Sequence, residues 1–211
     1  MNCVRLLENI WISIHAPHFM EALVCSQKDM VKPDNYLSQF NGLFKVCFHT
    51  WWAETSTDRF WPMEKWVSLI QSLTKKYWNR IIIFLSGTWF EEQWVKEIMA
   101  QLSKDEKKHV ANICGMFNLF EFAYVLKKCD FMVSNDTGPM HLAACMWTKT
   151  IWLFGPNSPK IFGPWPLNKN VWIYKGNWKI FIKPHLWLFE KDIDNQINNI
   201  SSSDVLAYIT L

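Results

Sequence analysis

Phe131-Met132-Val133-Ser134-Asn135-Asp136-Thr137-Gly138-Pro139-Met140-His141-Leu142-Ala143-Ala144 decides how this 211-residue chain is read. The apolar triplet at its start predicts a buried strand, and Pro139 opens a helix. Gly138 between them permits a tight turn and close approach by a ligand. A strand running straight into a helix directs that helix's first amides at the crevice beyond the strand, where they form an anion site. Thr137 adds a hydroxyl donor, and His141 in the first turn could donate to a phosphate oxygen. Asp136 repels phosphate and is better suited to sugar hydroxyls or the amides of the turn. Ordinary capping by Asp136 and Thr137, with His141 a surface or core residue, fits the same letters.

The same alternation extends to both sides of this segment. Phe44–His49 reads as a strand, followed by a polar loop and a helix from Pro62, with Trp66, Leu69, Ile70 and Leu73 on one face. Pro62 fits the first helical position. Arg80–Ser86 is a strand whose unbroken apolar run implies burial on both faces. A helix over Phe90–Leu102 and a short strand over Val110–Cys114 follow. Asn118 then caps a helix with Glu121 at the capping-box position, and Lys127-Lys128 favour its end. Beyond the opening segment, Thr150–Phe154 is a further strand. Strand and helix alternating in this way predict an α/β fold, a Rossmann-like, doubly wound parallel sheet. Ligands of such sheets bind at the carboxyl ends of the strands. Residues 1–42, punctuated by Pro17, Pro33 and Asn41-Gly42, do not read as a complete domain.

Composition narrows the function classes. Half of the residues are hydrophobic and 19% are charged, which excludes a disordered scaffold. The net charge of +3, with no Lys/Arg run longer than a pair, argues against nucleic-acid binding. The most apolar stretch, Ile81–Leu85, is far short of the roughly 20 residues that span a bilayer, so no transmembrane segment is expected. Cys3, Cys25, Cys47, Cys114, Cys129 and Cys145 form no C-x-x-C pair and read as free thiols in a reducing compartment. With no secretory signal, this predicts a cytoplasmic location, with peripheral contact at the membrane face in view of the slightly basic charge. Asp192-Ile193-Asp194 has the form of a metal-binding D-x-D but lies away from the expected crevice, so no metal or cofactor is expected.

The order of elements resembles the ADP-heptose–lipopolysaccharide heptosyltransferases, glycosyltransferase family 9. The carriers are Asp136-Thr137-Gly138-x-x-His141-Leu142-Ala143-Ala144, the strand ending Leu153-Phe154-Gly155-Pro156, and Ser158-Pro159 with Phe162-Gly163-Pro164. Upstream, Arg59-Phe60-Trp61-Pro62 matches the family's basic-x-Trp-Pro segment. The resemblance runs from about Phe44 onward. It implies the donor-binding half of a GT-B glycosyltransferase over residues 43–211, with 1–42 a remnant of an N-terminal domain and linker. It further implies transfer of a heptose or similar sugar, with inversion, from a nucleotide-diphosphate sugar, ADP-type favoured, to a lipopolysaccharide-like or other glycan acceptor. Asp136, Thr137, Gly138 and His141 would contact the donor, and Arg59 would sit by the diphosphate, where a cation stabilises the leaving group. Pairing of Arg59 with Asp58 is the plain alternative. Thr55 offers a hydroxyl to phosphate or to a turn, Glu92 fits ribose or simply the helix dipole, and Met116 fits the base pocket or the core. The family's base is an aspartate of the N-terminal domain, and no segment here matches it. A separate chain could supply the acceptor domain; otherwise the chain is a fragment, or a nucleotide-sugar binding module that does not catalyse. One departure is His49-Thr50-Trp51-Trp52, where the family has a glycine-containing turn.

Overall fold

The computed structural model describes residues 25–50, 59–155, 159–163, 170–175 and 196–211. Its centre is a six-stranded sheet in the order β3-β2-β1-β4-β5-β6, with every pairing parallel. The strands are β1 Phe44–His49, β2 Ile81–Ser86, β3 Val110–Asn112, β4 Phe131–Asn135, β5 Lys149–Phe154 and β6 Val171–Tyr174. The helices are α1 Gln27–Leu37, α2 Met63–Tyr77, α3 Glu92–Ala100, α4 Lys104–Lys107, α5 Leu119–Lys127, α6 Gly138–Cys145, α7 Pro159–Phe162 and α8 Ser202–Leu206. This is the doubly wound α/β fold expected from the alternation. Its strand order reverses between β1 and β4, so the crevice lies at their carboxyl ends.

Side chains alternate across the sheet and build two cores. Val46 and Phe48 of β1, Ile83 and Leu85 of β2, and Val133 of β4 face α2 and α3. Cys47, Phe84 and Met132 face the other way, under α1, α5 and α6. Fully burying one such side chain contributes about 1.5–3 kcal/mol. Residues 196–209 complete the first core with Ile197, Ile200, Val205 and Ile209. They are tied to α2 and the residues just before it through Tyr77 Oη, which donates to the Ile209 carbonyl at 2.8 Å, and Trp61 Nε1, which donates to that of Ile200 at 2.9 Å. Helix α1, inside the stretch set apart in the sequence, packs against α5, where Tyr124 donates its hydroxyl to Asp34 at 3.1 Å.

Local expectations hold with small shifts. Asn118 caps α5 through Phe120 N and Glu121 N, both at 2.9 Å, with Glu121 reciprocating. Pro62 is the N-cap of α2 rather than its first helical residue. Arg80 belongs to a 3-10 turn, and β2 begins at Ile81. The predicted helix over Phe90–Leu102 is a 3-10 turn, Trp89–Glu91, leading into α3, because Thr88 and Glu91 form their own capping box first. Strand β3 stops at Asn112, whose carboxamide accepts from Cys114 N and turns the chain. The alternation did not predict β6. Five of the cysteines are free thiols, and burial pushes Cys47 and Cys114 up to about 12, so neither is a thiolate at neutral pH. Cys3 lies outside the described residues.

Candidate functional site

Strands β1 and β4 leave the sheet side by side, with His49 opposite Ser134 and, on the other flank, Ser86. An apolar run in each strand ends at this level in a polar residue: His49, Ser86 and Ser134 are all buried. Ser86 Oγ donates to the Phe48 carbonyl at 3.0 Å, so we assign the imidazole hydrogen to Nδ1, which lies 3.4 Å from Ser86 Oγ. His49 Nε2 is then an acceptor. Burial holds His49 down at about 4, so it is neutral at neutral pH. One residue further along, Asn135 Nδ2 donates to the Thr50 carbonyl at 3.3 Å and bridges the two exits. Thr50 Oγ1 and Asn135 Oδ1 are buried with no hydrogen-bond partner among the described residues.

Helix α6 starts at the edge of this floor. Thr137 is its N-cap, extended at φ −141 and ψ 167, and its side chain makes no capping bond. Its hydroxyl instead meets Ser134 Oγ at 3.0 Å, while Ser134 Oγ also lies 2.8 Å from the Asn135 carbonyl, to which it donates. The capping by Thr137 that the letters allowed is therefore not made. Gly138 is the first helical residue. Its backbone is not left-handed, so no tight turn demands a glycine there, and among the described residues nothing lies within 4 Å of where a Cβ would stand. The space beside it is open to a ligand.

Arg59 reaches this corner from the loop before α2. Its Nη1 lies 3.6 Å from Asp136 Oδ2, and both side chains are largely shielded. Arg59 thus pairs with Asp136; Asp58 and Thr55 lie outside the described residues. Asp136 in turn faces a cation, which relieves the repulsion that a lone carboxylate would exert on an anion here. His141 is exposed, yet desolvation lowers its pKa, with the charge of Asp136 acting in the opposite direction. Asp136, Thr137, Gly138, His141 and Arg59 therefore gather at one corner.

The other two candidates lie toward β2 and β3. Glu92 is the first residue of α3, and its Oε1 pairs with Lys96 at 3.1 Å on a half-exposed face. Its neighbour Glu91 is the inward acid: it closes the capping box with Thr88, and burial raises its pKa. Met116 packs at the margin of the second core, and its carbonyl accepts from Lys32 of α1. The sequence reading passed over His49, Ser86, Ser134 and Asn135 as site residues. The available signal was a polar residue closing each of three apolar runs, residues 46–48, 81–85 and 131–133. Among the described residues, no group of three His, Cys, Asp or Glu could hold a metal ion, and no helix is long and apolar enough to cross a membrane. Asp192 and Asp194 are outside them.

Residues 5–180 match the family model of glycosyltransferase family 9 (heptosyltransferase). The chain belongs to this family. The match begins ahead of Phe44, where the motifs become legible, and so includes the segment carrying α1. Lipopolysaccharide heptosyltransferase 2 of Salmonella typhimurium is 25% identical over 155 residues, which is 74% of this chain and 41% of that protein. Among solved structures, E. coli ADP-heptose lipopolysaccharide heptosyltransferase II aligns with a TM-score of 0.67 at 22% identity, covering 86% of this chain and 50% of that one. E. coli heptosyltransferase WaaC with ADP aligns at 0.60 and 22% identity, covering 83% of this chain and 47% of that one. The two alignments share the fold, and this chain spans half or less of each of these relatives.

Proposed function

We propose that this family 9 chain binds the donor in a heptosyltransferase reaction, holding a nucleotide-diphosphate sugar of the ADP-heptose kind where β1 and β4 part. The observation that carries this reading is the corner itself. A shielded guanidinium paired with Asp136 stands beside an uncapped helix start and an open space at Gly138. The diphosphate lies against Gly138 and the α6 amides, with Thr137 and His141 donating to its oxygens. Arg59 neutralises the charge that grows on the departing nucleotide diphosphate, the main electrostatic demand of the reaction. Asp136 holds Arg59 and accepts from donor hydroxyls. Thr55 contributes a hydroxyl to phosphate, Glu92 accepts from ribose, and Met116 borders the base.

The attacking hydroxyl belongs to a glycan or glycolipid of the lipopolysaccharide type, displaces the nucleotide diphosphate from the anomeric carbon, and inverts it. In this reading residues 43–211 are the donor-binding domain, 1–42 belong to a linker and neighbouring domain, and the acceptor and the general base are held by a second domain or chain. The reaction takes place in the cytoplasm, at the inner face of the membrane. Its likeness to an ADP-heptose lipopolysaccharide heptosyltransferase and to WaaC with ADP supports the choice of donor. Calorimetric titration with ADP, UDP, GDP and adenosine tests it. ADP should bind more tightly than adenosine, because the corner is built for the diphosphate. Equal affinity for ADP and adenosine would overturn the assignment.

A further inference from the structure

The N-cap of α6 raises a question that donor binding alone leaves unanswered. Threonine in an extended N-cap conformation normally turns its hydroxyl onto an amide of its own helix. Thr137 has that backbone and does not do so. Position N2 is Pro139, which has no N–H, so the one amide in reach of a cap is that of Met140, which already bonds to the Thr137 carbonyl at 3.2 Å. The hydroxyl is instead held 3.0 Å from Ser134 Oγ and within a longer 3.4 Å reach of the Asn135 carbonyl, to which it donates. Ser134 is the next-to-last residue of β4, fully buried, and cannot touch a ligand at the surface of the corner. Its own hydroxyl has a second outlet in the Asn135 carbonyl at 2.8 Å, so it can keep its proton there and leave Thr137 a proton to give.

Resting on the donor-site reading above, we infer that Ser134 is a positioning residue: by holding the Thr137 hydroxyl off its own helix, it keeps that hydroxyl available to the donor diphosphate. Through a buried serine of β4, the Thr137 side chain thereby forgoes its helix cap. When a phosphate oxygen arrives, the Thr137 proton turns to it, while Ser134 Oγ goes on donating to the Asn135 carbonyl. The Thr137 hydroxyl then gives up its contacts with Ser134 Oγ and the Asn135 carbonyl as donor.

The test is a double-mutant cycle on binding, read by titrating the intact chain with ADP and with adenosine. Ser134→Ala should weaken ADP about 3- to 10-fold, the range expected for losing one hydroxyl contact, and leave adenosine unchanged. In a Thr137→Val background the same Ser134→Ala change should have no further effect on ADP. Amide exchange supplies an independent readout: in Ser134→Ala the freed Thr137 caps the helix, and Met140 N–H should exchange more slowly. Ser134→Thr, which keeps the hydroxyl, should keep wild-type ADP affinity and serves if the alanine variant folds poorly. Equal loss of ADP binding from Ser134→Ala with and without Thr137 would overturn the inference, as would faster Met140 exchange. If the wild-type chain binds neither ADP nor any other nucleotide diphosphate, the donor-site reading fails instead, and the cycle distinguishes the two.

Discussion

Adding one methyl group at Gly138 should separate stability from binding. The backbone there is not left-handed, and a Cβ would meet no atom within 4 Å among the described residues, so these give no steric reason to refuse alanine. The position is the first helical residue of α6, where alanine reduces the freedom of the unfolded chain. A compatible Gly→Ala change stabilises by about 0.4–1 kcal/mol. For a chain of this size that raises Tm by about 1–4 °C. The same methyl occupies the space assigned to the diphosphate. Forcing an extra carbon into a filled contact costs about 1–3 kcal/mol, so ADP affinity should fall about 5- to 150-fold. Urea unfolding without ligand measures the first effect, and calorimetry with ADP against adenosine measures the second. A Gly138→Ala protein that loses stability, or that binds ADP as the parent does, would refute the claim that this glycine is kept for a ligand.

Three further outcomes are expected. Arg59→Ala should cost about 1.5–3 kcal/mol of ADP binding, the scale of charge-assisted hydrogen bonds, while adenosine binding is unaffected; calorimetry that finds equal losses would remove Arg59 from the diphosphate. His49 is neutral when folded at about 4 and titrates near 6.5 when unfolded, so the unfolded chain takes up the proton first. Its contribution is complete above pH 6.5 and is lost as pH falls toward 4, by up to about 3 kcal/mol, and His49→Gln should flatten that part of the urea stability profile. Asn118→Ala removes the acceptor of two amides at the start of α5 and should cost about 1 kcal/mol in the same unfolding assay, with no change in ADP affinity.

The parts legible in the sequence are those where local chemistry and the final fold agree. Asn118 and Glu121 predict their own capping box, and the unbroken apolar run from Ile81 predicts a strand buried on both faces, because neither needs a distant partner. Strand β6 escaped because Val171–Tyr174 is short, lies at the sheet edge and leaves Trp172 partly exposed, so it shows neither a buried run nor clean alternation. Residues 196–209 escaped because their isoleucines and valine become a core only once α2 is there to receive them. At the site, the Asp136-Thr137-Gly138 turn was readable from its place between strand and helix. The pairing of Arg59 with Asp136 was not, since the adjacent Asp58 is the partner that sequence distance favours. The floor of His49, Ser86 and Ser134 depends on strand register, which a single chain of letters does not carry.

The bond from Trp61 to Ile200 spans 139 positions of chain, and Arg59 sits two residues before that tryptophan. On the ribosome, the sheet's central strands emerge early, but the carbonyl that anchors Trp61 comes far later. The guanidinium therefore takes its station only after residue 200 has been made, and a nascent chain stalled before residue 196 should show a folded interior yet fail to capture ADP on a filter.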